Sequence, residues 1–245
     1  MPSPSILASL SLHRTDRIRL MDFPKSMLQF LGAVIRNHWA QGVQDTRWYG
    51  GSFEIKLNGN PWVGRGKEAI TSRRLMQNIL HALHARGWVL ILSTDISKKI
   101  GDKDTLVFRL QAREPAPCTW MCIAFSGGDR LRFVDAPADY VRAVVPMVSP
   151  WTQKVVGETD PQCFDIKLNG YPWFAEGEAA MSARRLILVL IKGLEQQGFR
   201  IYTSIDQKIG DSEANRGEMD TWYCCRPVDR SPAMVITQDA GEKVM

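Results

Sequence analysis

The 245-residue chain is 44% hydrophobic and 23% charged, a composition typical of globular proteins. No apolar run approaches the roughly 20 residues that a membrane span requires, and no basic residues precede the first apolar stretch, so we expect neither a membrane helix nor a secretory signal. The net charge of +5 favours acidic partners only weakly, because acidic residues are interleaved with the basic ones. The length suits two domains of roughly 110 residues each.

The first half alternates between strand and helix patterns. A strand, turn and strand pattern opens the chain, and apolar residues at helical spacing follow Pro24, from Leu28 to Trp39. The segment FEIKL alternates apolar and polar residues as a strand does. A second helix follows the Asn-Gly-x-Pro-Trp turn and is predicted to end at Gly87. The near-continuous apolar strands WVLILS and TLVFRL indicate that parts of the sheet are covered on both faces.

The second half repeats these elements. Residues Phe53 to Leu75 return as Phe164 to Leu186 at a spacing of 111, and 13 of the 23 positions are identical. TWMCIAF, at residues 119–125, is a third near-continuous apolar run that predicts a strand covered on both faces. Pro146 is predicted to kink or end the first helix of the second copy.

The sequence therefore predicts an α+β fold of two tandem homologous domains that form a pseudo-dimer. Each domain is roughly ββαβαββ, with two helices packed on a mainly antiparallel sheet. We place the first domain at residues 1–115, the second at 116–230 and a C-terminal tail at 231–245. The strand-like pattern of the tail leaves two arrangements open, since each sheet is completed either by the hairpin before it or by the hairpin after it.

Polar and aromatic residues kept in both copies form the candidate binding site. A lysine, two arginines and a tryptophan suit an anionic or planar ligand. In the structural interpretation, the tryptophan anchors the turn on the core and an arginine pairs with Asp95 or with a strand carboxylate such as Glu54. The candidate ligand-binding residues are Lys56, Asn58, Trp62, Arg73, Arg74, Asp95, Lys167, Asn169, Trp173, Arg184, Arg185 and Asp206.

Three weaker motifs differ between the copies. The KIGD loops and the Asp-Thr pairs that follow them offer oxygen ligands for a cation, but an insertion changes their spacing and hairpin turns explain them better. The phosphate-loop-like segment GRGK, at residues 64–67, has the acidic counterpart AEGE. His81 and His84 correspond to Lys192 and Glu195, which favours an exposed helical face over a zinc site. We predict no metal and no cofactor.

The cysteines indicate the compartment. All five lie in the second copy and none in the first, although a disulfide framework would have been duplicated with the domain. We expect reduced, mostly buried thiols in an intracellular, cytoplasmic protein, with a reactive or metal-binding role as the minor alternative. The residues are Cys118, Cys122, Cys163, Cys224 and Cys225.

The predicted function is that of an intracellular, non-catalytic tandem-domain binding protein for a small ligand or a protein partner. All four histidines lie in the first half, so a histidine-dependent mechanism is not present in both domains. An enzyme with one site in the interdomain cleft is the first alternative. A basic nucleic-acid-binding protein is the second, less favoured because no recognised motif or long basic run is present.

Overall fold

The computed structural model describes residues 5–96, 104–207 and 220–228. Within them, each half of the chain forms a six-stranded antiparallel sheet with two α-helices, which confirms the predicted α+β fold of two tandem domains. No helix in the described part of the chain is long and apolar enough to cross a membrane. The predicted tail at 231–245 and both KIGD loops lie outside the described residues.

The first sheet has the strand order β3-β4-β2-β1-β6-β5. A 3₁₀ turn at Pro61–Val63 precedes its second helix. The elements are β1 Leu7–His13, β2 Arg17–Met21, α1 Lys25–His38, β3 Val43–Tyr49, β4 Ser52–Leu57, α2 Lys67–Ala85, β5 Trp88–Thr94 and β6 Thr105–Leu110.

The second sheet repeats this topology, with the order β9-β10-β8-β7-β12-β11. The hairpin of β7 and β8 pairs with β12 and β10, so the hairpin that precedes each repeat completes its sheet. The elements are β7 Cys118–Ser126, β8 Arg130–Val134, α3 Ala138–Met147, β9 Thr152–Asp160, β10 Cys163–Leu168, α4 Gly177–Gln196, β11 Arg200–Ile205 and β12 Thr221–Pro227.

Strands β3 and β9 are absent from the predicted order ββαβαββ. Each is the outer strand beside β4 or β10, and nearly all side chains of β3 are exposed, so its sequence shows no inward and outward alternation. The sequence feature that could have revealed β3 is the glycine pair in the turn that follows it. Gly50 and Gly51 have φ angles of 55° and 80°, as a two-residue hairpin turn requires.

The predicted helix ends agree with the structure. Gly87 and Gly198 follow α2 and α4 with φ angles of 80° and 72°, the left-handed conformation that ends many helices. Pro146 lies one residue before the end of α3, consistent with its predicted role as a helix terminator.

Helix α2 lies between the two sheets. Its inner side packs with α1 on one face of the first sheet, and its outer side contacts β7 and β8 of the second sheet. On β7, Met121 and Ile123 face α3 and α4, whereas Trp120 and Cys122 join the core around α2. The second sheet is therefore covered on both faces, and the two domains meet through unlike surfaces.

The other face of the first sheet, which we call the open face, is not covered by any described element. Ile91 and Leu92 of β5 are 43% and 50% exposed. The prediction that apolar runs mark strands covered on both faces is thus correct for β7 and wrong for β5. The run in β5 reflects a sheet whose exposed face is itself partly apolar.

A buried carboxylate is held by arginines at the same position of each sheet. Glu54 of β4 accepts hydrogen bonds from Arg17, from Arg19 at 2.8 Å and from Arg47 at 2.9 Å. Its counterpart Asp165 accepts hydrogen bonds from two arginines of the second copy. Burial opposes ionisation of Glu54, but the hydrogen bonds from the arginines outweigh it and lower the pKa of the carboxyl.

Replacing this carboxylate tests its contribution to stability. Glu54→Gln leaves three guanidinium groups without their anion, so we expect the free energy of unfolding to fall by about 2–3 kcal/mol. Urea denaturation measures the change. The exposed carboxylate of Asp45, on the neighbouring strand β3, provides the control Asp45→Asn, for which we expect a change within about 0.5 kcal/mol. Equal losses in both variants would contradict a special role for Glu54.

Candidate functional site

The two tryptophans of the candidate site anchor their turns. Trp62 is fully buried, and its indole N–H donates to the carbonyl of Arg17 at 3.1 Å. Trp173 is half-buried and donates to the carbonyl of Arg130 at 3.3 Å. The 3₁₀ turn that carries each tryptophan is thereby tied to the start of strand β2 or β8, as the structural interpretation predicts.

The paired lysines and asparagines lie at the other end of the same turns. Lys56 Nζ is 3.9 Å from Asp16, and Lys167 Nζ is 3.7 Å from the equivalent Asp129. The Asn58 side chain donates to the carbonyl of Gln41 at 2.8 Å. The backbone N–H of Asn169, whose side chain is exposed, donates to the carbonyl of Trp151 at 2.8 Å.

The aspartates Asp95 and Asp206 directly follow β5 and β11. The backbone N–H of Asp206 donates to Asp104 at 3.1 Å, and Ser93 donates to the same carboxylate oxygen at 3.0 Å. In the second copy, Ser204 donates to Asp220 in the same way at 2.8 Å. The bonds from Ser93 to Asp104 and from Ser204 to Asp220 each join the two strands of one hairpin, whereas the bond from Asp206 to Asp104 joins the two domains. The described residues contain no cluster of three or more metal-ligating side chains.

Arg73 and Arg74 join the two domains. Arg73 is buried and donates from Nε to Thr221 at 3.1 Å. Arg74 donates to Asp135 at 2.8 Å, to Asp160 at 3.1 Å and to the carbonyl of Pro161. Neither arginine pairs with Glu54, as one form of the structural interpretation proposed, because β2 and β3 supply the arginines of that carboxylate.

Polar and aromatic contacts surround these arginines. Gln207 donates to the Ser72 hydroxyl at 2.7 Å and accepts a hydrogen bond from Tyr223. Gln77 donates to Asp135 at 3.1 Å. Within the described residues, the two domains are thus joined by a hydrogen-bond network that is partly or fully buried.

His81 and His84 also belong to this interface. His84 is 2% exposed, and both imidazoles pack on Trp120, with ring centroids 5.9 Å and 5.5 Å apart. The prediction of an exposed helical face is therefore correct for His81, which remains exposed beside Trp120, and wrong for His84. The sequence of α2 does not show which surface of another domain will cover it.

The equivalent surface of α4 is exposed. Met181 and Leu188 are 53% and 65% exposed, and Arg184 and Arg185 make no ion pair within the described residues. We call these four residues, together with Lys192, the α4 face. Beside it lies a cavity of about 240 Å³, lined by Pro172, Trp173, Ala175, Ala180, Ala183, Arg184 and Ile187.

The equivalent residues of the first copy contact side chains of the other domain. Ser72 and Arg73, the equivalents of Ala183 and Arg184, contact Gln207 and Thr221 of the second domain. The structure thus brings Trp173 and Arg184 to one accessible cavity, whereas Trp62 and Arg73 are buried and Arg73 contacts the second domain.

The thiols of Cys118 and Cys122 have little nucleophilic character. All five cysteines are buried and free, and burial raises the pKa of Cys122 to about 12 and that of Cys118 to about 11. Thiols with such pKa values stay protonated near neutral pH, so these two supply no reactive thiolate.

The two matched arginines provide a direct test of the interface. Arg74→Ala leaves Asp135 and Asp160 without their cation, so we expect it to lower the free energy of unfolding by about 2–3 kcal/mol. The same substitution at the exposed equivalent, Arg185→Ala, is expected to change it by no more than about 0.5 kcal/mol. Chemical denaturation of both variants makes the comparison. Equal losses would show that both arginines act within their own domains.

The interface histidines predict a pH dependence. Burial lowers the pKa of both histidines. The charge of His38 lowers the pKa of His81 further. The charges of Arg200 and His81 do the same for His84. In the unfolded chain the histidines have a pKa of about 6.5, so below that pH the unfolded chain binds more protons than the folded chain. The free energy of unfolding therefore falls as the pH drops below about 6.5, and it levels off below the folded pKa.

Urea denaturation between about pH 8 and pH 5 measures this slope. We expect His84→Gln to have a shallower slope than the unmodified chain. An unchanged slope in His84→Gln would rule out the interface as its source.

Comparison with known proteins places the chain by domain. One family model matches it twice, at residues 6–109 and 119–225, which correspond to the two sheets with their helices. No curated protein and no solved structure shows a significant match. The two matches together span well over half of the sequence, so the chain belongs to this domain family and carries its domain in tandem.

Proposed function

We propose that the protein is an intracellular, non-catalytic binding protein whose second domain docks a protein partner on the α4 face. The observation that carries this proposal is the contrast between the copies. One helix face is sealed against a protein domain in the first copy and exposed in the second, with large apolar side chains outward. Contiguous exposed apolar surface of this kind is a mark of interaction sites.

The charges of the α4 face suit a protein surface. Arg184, Arg185 and Lys192 surround Leu188, so an apolar centre is bordered by cations. Arginine beside apolar anchors is enriched at protein interfaces. In the first copy the equivalent arginines bind carboxylates, a hydroxyl and a carbonyl of a folded domain, which supports an acidic protein partner.

A protein partner has more support than a small ligand. The cavity beside Trp173 is about 240 Å³, below the roughly 300–1,000 Å³ of most small-molecule sites. The same position in the first copy is occupied by protein side chains. The intracellular location rests on five free, buried thiols, which are typical of proteins from reducing compartments.

The two alternatives have less support. The interface between the domains is filled by buried side chains, including Arg73, His84 and Cys122, which leaves little room for a substrate. For nucleic-acid binding, Tyr49 and the arginines that stack on it at the open face are the best candidates. Glu54, however, accepts hydrogen bonds from all three arginines around it and neutralises part of their charge.

Site-specific photo-crosslinking in the native cell tests the proposal. A photoreactive amino acid at Met181 is expected to give a discrete protein adduct, because that side chain lies on the α4 face. The additional substitution Leu188→Glu should reduce the yield at least about tenfold, since it places a charge in the apolar contact. The same photoreactive group at Arg36, exposed on α1, is the matched control. Equal labelling at Met181 and Arg36, or no effect of Leu188→Glu, would overturn the proposal.

A further inference from the structure

The two domains form a head-to-tail contact, so the chain carries one unused copy of each side. The layers run from the first sheet through α1 and α2 to the second sheet, and then to α3 and α4. The α4 face at one end is equivalent to the buried outer side of α2. The open face of the first sheet at the other end is equivalent to the side of the second sheet that α2 covers.

The ion pair at the centre of the internal contact has unused equivalents at both ends. Arg74 bonds Asp135 at 2.8 Å. Their equivalents are Arg185 on α4 and Asp22 after β2, and both are exposed. The backbone at Asp22 matches that at Asp135, with φ angles of 62° and 55°. These two positions therefore present opposite charges in the arrangement that joins the domains.

The hydrogen-bond network of the internal contact is replaced by apolar residues on both unused surfaces. Ser72 on α2 becomes Ala183 on α4. Its partner Gln207, which follows Asp206, becomes Ile96, which follows Asp95. Tyr223, which bonds Gln207, becomes Val107 on β6. A polar set has thus changed to an apolar set on two surfaces that do not touch within one chain, which is the change expected if they touch between chains.

Large apolar side chains are exposed on both unused surfaces. Ile96 is 76% exposed, and Leu7, Met21 and Ile91 on the first sheet are between 43% and 45% exposed. On α4, Leu188 takes the place of Gln77, which is buried against the second domain in the internal contact. Contact between the two surfaces would remove this apolar area from water, which favours association.

We propose that the α4 face docks the open face of the first sheet of a second copy of this chain, with Arg185 pairing with Asp22. This proposal rests on the proposed function, since it names the partner of the α4 face. Because the two surfaces are different, the contact is heterologous. It extends into a chain of molecules or closes into a ring, rather than stopping at a two-fold dimer.

Sedimentation of the purified full chain over a concentration series tests this proposal. We expect the unmodified protein to form species larger than a dimer as its concentration rises. Leu188→Glu blocks one surface and Ile96→Glu blocks the other, so each variant alone is expected to remain monomeric. Arg36→Glu, on the exposed side of α1, is the matched control and should associate like the unmodified protein.

Mixing the two blocked variants gives the decisive result. Each still has one intact surface, so an equimolar mixture should form a one-to-one dimer and nothing larger. The charge-reversed variants Arg185→Asp and Asp22→Arg should likewise associate weakly alone and recover on mixing. Circular dichroism confirms that each variant is folded before it is scored.

Three outcomes would overturn the proposal. In the first, the unmodified protein remains monomeric. In the second, it associates but the two blocked variants associate equally well. In the third, Leu188→Glu abolishes association while Ile96→Glu does not, as a two-fold contact between α4 helices would give. Discrete crosslinking of Met181 to a different protein would then retain the proposed function, whereas absence of any such adduct would remove that function as well.

Discussion

The packing of α2 between two sheets is the constraint on which the rest of the structure depends. A helix normally buries one stripe against a core and leaves the opposite side to water. Here the opposite side carries Ile70, Arg73, Gln77 and His84, all buried by the second domain. Because one helix serves two cores, the two domains cannot separate without exposing apolar surface, two arginines and a hydrogen-bond network.

Duplication followed by asymmetric burial explains why equivalent residues have different fates. Arg73 and Arg184 occupy the same position of the same fold, yet one is enclosed by Thr221 and the other is exposed beside a cavity. Retention within the fold accounts for the tryptophans and for the arginine-held carboxylates, which serve each sheet internally. It does not account for Arg185, which is exposed and makes no ion pair within the described residues.

The parts of the structure that follow from local chemistry could be predicted from the sequence. Two-residue alternation identified β4, helical spacing identified α2, and the glycines after α2 and α4 marked the helix ends. Strand β3 escaped notice because an outer strand with exposed side chains has no apolar period. The burial of His84 could not be predicted, because it depends on contact with Trp120, which belongs to the other domain.

The position of β12 has a consequence for synthesis on the ribosome. The first domain is complete once β6 emerges, but the surface that covers α2 includes Thr221 and Tyr223 of β12, more than 100 residues later. Until then the part of α2 around Ser72 and Arg73, which bonds Gln207 and Thr221 in the finished protein, lacks its partners. The nascent chain therefore passes through a half-assembled stage that exposes the same kind of adhesive helix surface that the finished protein keeps on α4.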